Sequence, residues 1–103
     1  MVTDVIPFDK REGSLWFDGK FMPWADAKIH VLTHGLHYAS SVFEGERMYS
    51  GRIYKLEEHT ARLFKSAKIL DMEIPFSQKQ INEASIKACE IQGFKDAYVR
   101  PVV

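Results

Sequence analysis

An α+β fold, with hairpins first and helices after them, is predicted by three observations on this 103-residue chain. Asp18-Gly19 and Ser50-Gly51 each interrupt a run of alternating apolar residues, the pattern of a tight β-hairpin. After Leu56 the apolar spacing changes from two to about 3.6, the helical period. Ser77-Gln-Lys-Gln80 then has the Ser-x-x-Gln form that caps a second helix. The expected architecture is an antiparallel sheet of hairpins with two helices packed on it, one domain's worth of chain burying roughly 60–65% of its unfolded surface.

Each element follows from its residues. Residues 15–22 alternate about Asp18-Gly19 as a hairpin that Pro23 closes; Trp24 to Lys28 then reads as a connection into a short extended piece, Ile29 to Leu32. Val42 to Tyr49 alternates again, and Arg52 to Lys55 resumes after Ser50-Gly51. A first helix from Leu56 carries the stripe Leu56, Leu63, Phe64, Ala67 and Leu70, with Glu57 and Glu58 suiting its positive end. A second, after Pro75, carries Ile81, Ala84, Ala88 and Ile91, and Gly93 sits where a left-handed residue would stop it. Residues 97–103 read as an apolar strand with no turn or cap after it, so the chain is expected to be a fragment of something longer. Residues 1–13 read as an N-terminal extension, either ordered or mobile, ahead of a domain over 14–103.

Composition excludes several functions. Fourteen basic and fourteen acidic residues balance, without a long like-charged run, so neither nucleic acid nor a membrane surface is an expected partner. The N-terminus lacks the apolar run of a secretion signal, and the chain has nothing near the ~20 apolar residues of a membrane span. A single cysteine, Cys89, rules out an internal disulfide and suits a reducing cytoplasm.

Small-molecule chemistry is carried by three constellations. In an extended chain Phe43, Gly45, Arg47 and Tyr49 share one face and Glu44, Glu46 and Met48 the other, so the segment His34 to Arg47 reads as one wall of a pocket. The alternative is a bulged hairpin with a solvated arginine. Tyr98 and Arg100 share a strand face roughly 7 Å apart, and Pro101 keeps Arg100 extended. That guanidinium calls for a carboxylate, either a ligand's or one of the chain's own. Arg62 lies beside the apolar stripe with His59 and Ser66 one turn away on either side, where it either holds an anion such as phosphate or merely snorkels at the core boundary. His30, His34 and His37 are close in sequence but lack metal-ligand spacing, so no metal is expected. Cys89 reads as a small buried hydrophobe.

Several of these segments occur together and in order: Trp16-Phe-Asp-Gly-Lys20, Ala27-Lys-Ile-His-Val31, His34-Gly-Leu-His-Tyr-Ala-Ser-Ser-Val-Phe-Glu-Gly-Glu-Arg47, Glu58-His-Thr-Ala-Arg-Leu-Phe-Lys-Ser-Ala-Lys68 and Ala97-Tyr-Val-Arg-Pro101. From Leu15 onward the chain resembles the N-terminal small domain of a branched-chain amino acid aminotransferase, of the class IV (fold type IV) pyridoxal-phosphate enzymes. The Phe-Glu-Gly-x-Arg and Tyr-x-Arg-Pro forms favour that branch over D-amino acid transaminases and aminodeoxychorismate lyases. A free-standing ligand-binding or interaction domain is the reading from another class.

The resemblance implies residue roles. Arg62 matches the arginine that binds the phosphate of pyridoxal 5'-phosphate. Phe43 and Gly45 match a substrate-pocket wall, with Arg47 as a supporting cation. Tyr98 matches a tyrosine near the substrate α-carboxylate, and Arg100 an arginine for the second carboxylate of glutamate. Tyr38 matches a tyrosine that reaches the neighbouring subunit's pocket, implying at least a dimer. The implied partners are leucine, isoleucine, valine, glutamate and their 2-oxo acids. The lysine that carries the cofactor and the acid beside its ring nitrogen belong, in the resemblance, to a second domain past Val103; Lys55, Lys65 and Lys68 do not fall in that motif. No catalytic residue is therefore expected in this chain, and the chain by itself is expected to be inactive.

Overall fold

In a computed structural model that describes residues 5–103, five short strands and three α-helices form two small antiparallel sheets around a helix pair. β1 (Ser14–Phe17) and β2 (Lys20–Pro23) form the first hairpin, with Phe17 opposite Lys20. Asp18 and Gly19 both take positive φ, 50° and 97°, as a type I′ turn requires. The second sheet has the order β4-β3-β5, from β3 (Glu46–Tyr49), β4 (Arg52–Ile53) and β5 (Ala97–Val99). Ser50 and Gly51, again at positive φ, turn β3 into β4.

The expected single sheet is thus two, because the connection between the hairpins is not extended. Ile29 to Leu32 is a turn rather than a strand, closed by a hydrogen bond from Thr33 N–H to the His30 carbonyl at 2.9 Å. The segment from His34 also begins differently from the extended wall expected of it. His34–Tyr38 is a short helix, α1, which ends on Ala39 in the left-handed conformation. The chain becomes extended only afterwards, where Val42 and Val103 exchange backbone hydrogen bonds at 3.0 and 2.8 Å and Phe43 bridges Val102. Residues 42–49 therefore run along residues 97–103 almost continuously.

The core lies between α2 (Leu56–Ile69), α3 (Gln78–Gln92) and the inner face of β3. On α2 the buried residues are Thr60, Leu63 and Ala67. Leu70, assigned to the stripe from spacing, is 44% exposed because the helix has already ended. On α3 they are Ile81, Ser85 and Cys89, spaced by four, while Ala84 and Ala88 are half-buried and Ile91 is exposed. The buried stripe is thus rotated from the apolar one. Ser85 tolerates burial by donating to the Ile81 carbonyl at 2.8 Å, and Thr60 is satisfied by Asn82 across the helix pair. The capping box forms as expected, Gln80 N–H donating to Ser77 Oγ and Ser77 N–H to Gln80 Oε1, and Gly93 ends the helix at φ 71°. The first hairpin packs on α3, with Trp16 edge-on to Phe76 at 4.9 Å.

Residues 1–4 of the expected extension lie outside the described residues. In the rest of it the Trp24 indole N–H donates to the Phe8 carbonyl, and the Arg11 guanidinium stacks on the Phe8 ring at 4.2 Å. No helix among the described residues is long and apolar enough to cross a membrane.

Leu63 is 1% exposed at the contact of α2 with α3. Leu63→Ala is expected to cost about 3 kcal/mol of unfolding free energy, measured by urea denaturation.

Candidate functional site

The two faces of β3 and its lead-in have different environments. Glu44, Glu46 and Met48 point inward at 4%, 1% and 3% exposure, while Phe43, Gly45, Arg47 and Tyr49 point outward. β5 pairs with β3 so that Tyr98 lies opposite Arg47. Across this face the Tyr98 hydroxyl approaches Gly45 so closely that a Cβ there would sit 2.7 Å from it. Glycine at 45 is thus a requirement of Tyr98's position, not a weakness of the strand.

Arg100 completes the face. Its guanidinium carbon lies 4.2 Å from the centre of the Phe43 ring and 5.6 Å from that of Tyr98, with Nε and Nη2 each 3.4 Å from the Tyr98 hydroxyl. Stacking of this kind orients a guanidinium, and with Nε and Nη2 turned to Tyr98 its Nη1 remains open to an acceptor. Among the described residues Arg100 has no carboxylate partner. Of the two partners that the sequence allowed, the chain's own acids are not used. Five expected residues, Phe43, Gly45, Arg47, Tyr98 and Arg100, are therefore brought onto one exposed surface.

Arg62 belongs to a different cluster, on the inner side. Its Nε and Nη2 donate to the two oxygens of Glu44 at 2.8 and 2.7 Å, and His59 Nδ1 lies 2.7 Å from Glu44 Oε1. Ser66, one turn later, contributes nothing to this cluster. Glu44 is 4% exposed, yet the Arg62 side chain is 67% exposed, so the fork is anchored at its base and open at its end. The bonded Arg62 guanidinium holds the Glu44 carboxyl below the usual range despite burial, and His59 adds to the effect. Glu44 in turn raises the pKa of Arg62. The sequence reading missed Glu44. Its signal was the alternation itself, which places an acid on the buried face, where it needs a cation.

Glu46 has no such partner. Both carboxylate oxygens are buried without a hydrogen bond, and desolvation pushes the pKa from 4.5 up to about 7, against the attraction of His59 and with the repulsion of Glu44. Cys89 on α3 is 5% exposed, and its thiol is pushed up by burial and by Glu46.

Tyr38 stands apart from both clusters, on α1. It is 73% exposed and lies against His34, ring centres 4.5 Å apart. Around it Ile29, Val31, Leu32 and Leu36 are all more than half exposed. The nearby histidines serve local structure. His30 Nδ1 accepts from Leu32 N–H at 2.9 Å, His37 Nε2–H donates to the Val31 carbonyl at 2.7 Å, and His34 bonds Ser40. Among the described residues no three His, Cys, Asp or Glu side chains converge as a metal site.

Fold and clusters together define a small α+β domain with one guanidinium stacked on an exposed aromatic ring and another anchored by a buried carboxylate. The chain belongs to the amino-transferase class IV family, whose model matches residues 41–103. A branched-chain-amino-acid aminotransferase of Pseudomonas aeruginosa is 47% identical over 97 residues, covering 90% of this chain and 32% of the relative. That of Escherichia coli is 37% identical over 98 residues, covering 91% and 32%. Among solved structures, the T.th. branched-chain amino acid aminotransferase complexed with N-(5'-phosphopyridoxyl)-L-glutamate superposes with a TM-score of 0.85 at 42% identity, covering 89% of this chain and 32% of that one. The same protein has been solved with 4-methylvaleric acid. The chain spans about a third of the length of the relatives it matches.

Two predictions follow from the geometry. Gly45→Ala is expected to displace the Tyr98 hydroxyl, seen as shifted Tyr98 ring and Arg100 Nε–H resonances in an NMR spectrum that otherwise keeps its pattern. For pH, Glu46 binds its proton more tightly folded than unfolded, so its contribution to stability falls as pH rises from 4.5 to about 7 and is level above that. The loss is on the order of 3 kcal/mol. Glu44 acts oppositely, its contribution being present above 4.5 and lost as pH falls through its lowered value. Urea midpoints taken across pH are expected to lose the neutral slope in Glu46→Gln and to keep the acid loss.

Proposed function

We propose that residues 14–103 are the substrate-facing domain of a transaminase that moves amino groups between leucine, isoleucine or valine and 2-oxoglutarate, with residues 1–13 as an extension. The observation that carries this reading is the single exposed surface of Phe43, Gly45, Arg47, Tyr98 and Arg100. An aliphatic side chain suits the apolar Phe43 edge, and the Tyr98 hydroxyl is placed to donate to an α-carboxylate, with Arg47 as a nearby cation. Arg100, held over Phe43, supplies an N–H edge for the second carboxylate of glutamate at the border of the same wall. One pocket then serves both half-reactions without rearranging. The relatives' names and the glutamate and 4-methylvaleric acid complexes of the T.th. neighbour agree with it.

The cofactor of this reading is pyridoxal 5'-phosphate, and the donors present suit its phosphate. Glu44 engages Nε and Nη2 of Arg62 and leaves Nη1 without a bond to the described residues, on a side chain that is largely exposed. An anchored, always-charged guanidinium with its outer end open in this way suits a phosphate oxygen. When bound, the cofactor ring delocalises the charge left on the substrate α-carbon as the amino group moves. The chain's own residues bind and orient: Arg62 fixes the phosphate, while Tyr98 and Arg100 fix the carboxylates. Tyr38 reaches a neighbouring subunit's pocket from the exposed α1 surface, making the assembly at least a dimer. A reducing cytoplasm suits the free thiol of Cys89. The lysine and acid that act on the cofactor lie outside this chain, which alone is inactive.

Joined to the remaining two thirds of the Pseudomonas aeruginosa relative, the chain is expected to support transfer from L-leucine to 2-oxoglutarate, followed by coupled assay, while the chain alone supports none. In that protein Arg62→Ala is expected to raise the pyridoxal phosphate concentration for half-maximal activity about tenfold or more, as losing a charged hydrogen-bond partner does. Arg100→Met is expected to lower kcat/KM for glutamate far more than for leucine. Activity confined to D-alanine, or equal losses for both substrates, would contradict the assignment.

A further inference from the structure

Glu46 is the buried group that neither the fold nor the proposed chemistry uses. It is 1% exposed, both oxygens lack a hydrogen-bond partner, and it lies in β3 between Gly45 and Arg47, whose side chains form the outer face. A carboxyl in such a site is tolerated as the neutral acid; as an anion it needs a cation, a donor or water.

Among the described residues no cation or donor is bonded to it. The charged and titratable groups that face it are His59 from α2, Cys89 from α3 and Glu44 from its own segment, while from β5 it is paired with Val99. His59 already holds Glu44 through Nδ1, and the Arg62 fork is likewise taken by Glu44. Glu44 itself is an anion and repels a second charge. An ionised Glu46 is therefore relieved by a shift of its own strand, the central one of its sheet, which carries its two neighbours with it. β3 is four residues long, and its edge partner β4 only two. The peptide units on either side of Glu46 are those of Gly45 and Arg47, so a shift of residue 46 displaces the outer face as well. Through the Arg47–Tyr98 pairing the shift passes to β5.

We propose that Glu46 is a proton-dependent positioning residue for the substrate-facing wall: uncharged, it lets β3 seat against α2 and α3, and ionised, it moves the strand and with it Gly45, Arg47 and Tyr98. It acts through the backbone and does not touch a ligand. The inference concerns the strand alone and holds whatever Arg62 binds.

The test is an NMR titration of the whole 103-residue chain, labelled with carbon-13 and nitrogen-15, from pH 5 to 9. The Glu46 side-chain carboxyl is expected to titrate near neutrality, and the amide signals of Gly45, Arg47 and Tyr98 to move with that same midpoint. Glu46→Gln is expected to abolish this amide movement, and His59→Gln to retain it, separating the carboxyl from the imidazole. Ionisation alone shifts nearby amides through its field, so a merely structural role is recognised by unchanged nuclear Overhauser distances among Gly45, Arg47 and the Tyr98 ring while the carboxyl titrates. Unchanged distances, movement that persists in Glu46→Gln, or movement lost only with His59 would each overturn the proposal. Should either variant fail to fold, the distances in the unaltered chain on the two sides of the carboxyl midpoint decide the matter.

Discussion

The segment from Val42 to Tyr49 has to satisfy two environments with one backbone. Successive side chains of an extended chain point to opposite sides, so whatever registers one face registers the other. Here the inner face closes the core against α2 and α3, and the outer face presents Phe43, Gly45 and Arg47 beside Tyr98 and Arg100. A slip of one residue would expose Met48, bury Arg47 and separate Glu44 from Arg62. The backbone bonds between residues 42–44 and 101–103 hold that register from the other end of the chain.

Charge on the inner face is what makes this segment unusual. Two carboxylates, Glu44 and Glu46, enter a region that strand patterning would assign to apolar residues. Glu44 is neutralised by a bidentate arginine and also bonded to a histidine, so its burial links strand to helix and orients an exposed guanidinium at the same time. Glu46 has no comparable partner, and burial pushes its pKa up to about 7. Neighbouring acids two positions apart are thus driven in opposite directions by their surroundings, the pattern expected where one fold must separate two proton affinities.

Much of the local structure was legible from the chain because it is decided by local chemistry. Asp18-Gly19 and Ser50-Gly51 make their turns, Ser77 and Gln80 cap their helix, and Gly93 ends it, each through atoms a few residues apart. The outward face at Phe43, Gly45 and Arg47 followed from strand periodicity, and Tyr98 with Arg100 from the same rule. The readings that failed needed information from elsewhere. The turn at Ile29 to Leu32 and helix α1 lie in an apolar stretch whose period is ambiguous at that length. On α3 the buried residues Ser85 and Cys89 were displaced from the apolar stripe, because a serine that bonds its own helix and a small thiol pack as close to α2 as alanine does.

The sequence by itself determined the order of strands and helices, the hairpin turns, the helix caps and which residues share a face, since these depend on backbone stereochemistry over short separations. Only the tertiary structure decided that Glu44, eighteen residues before Arg62, is the arginine's anchor, that Gly45 makes room for the Tyr98 hydroxyl, that Arg100 stacks on Phe43, and that Glu46 is sealed without a partner. Those facts depend on distances between segments far apart in the chain, and on how completely water is removed between them. No pattern within one segment carries either quantity.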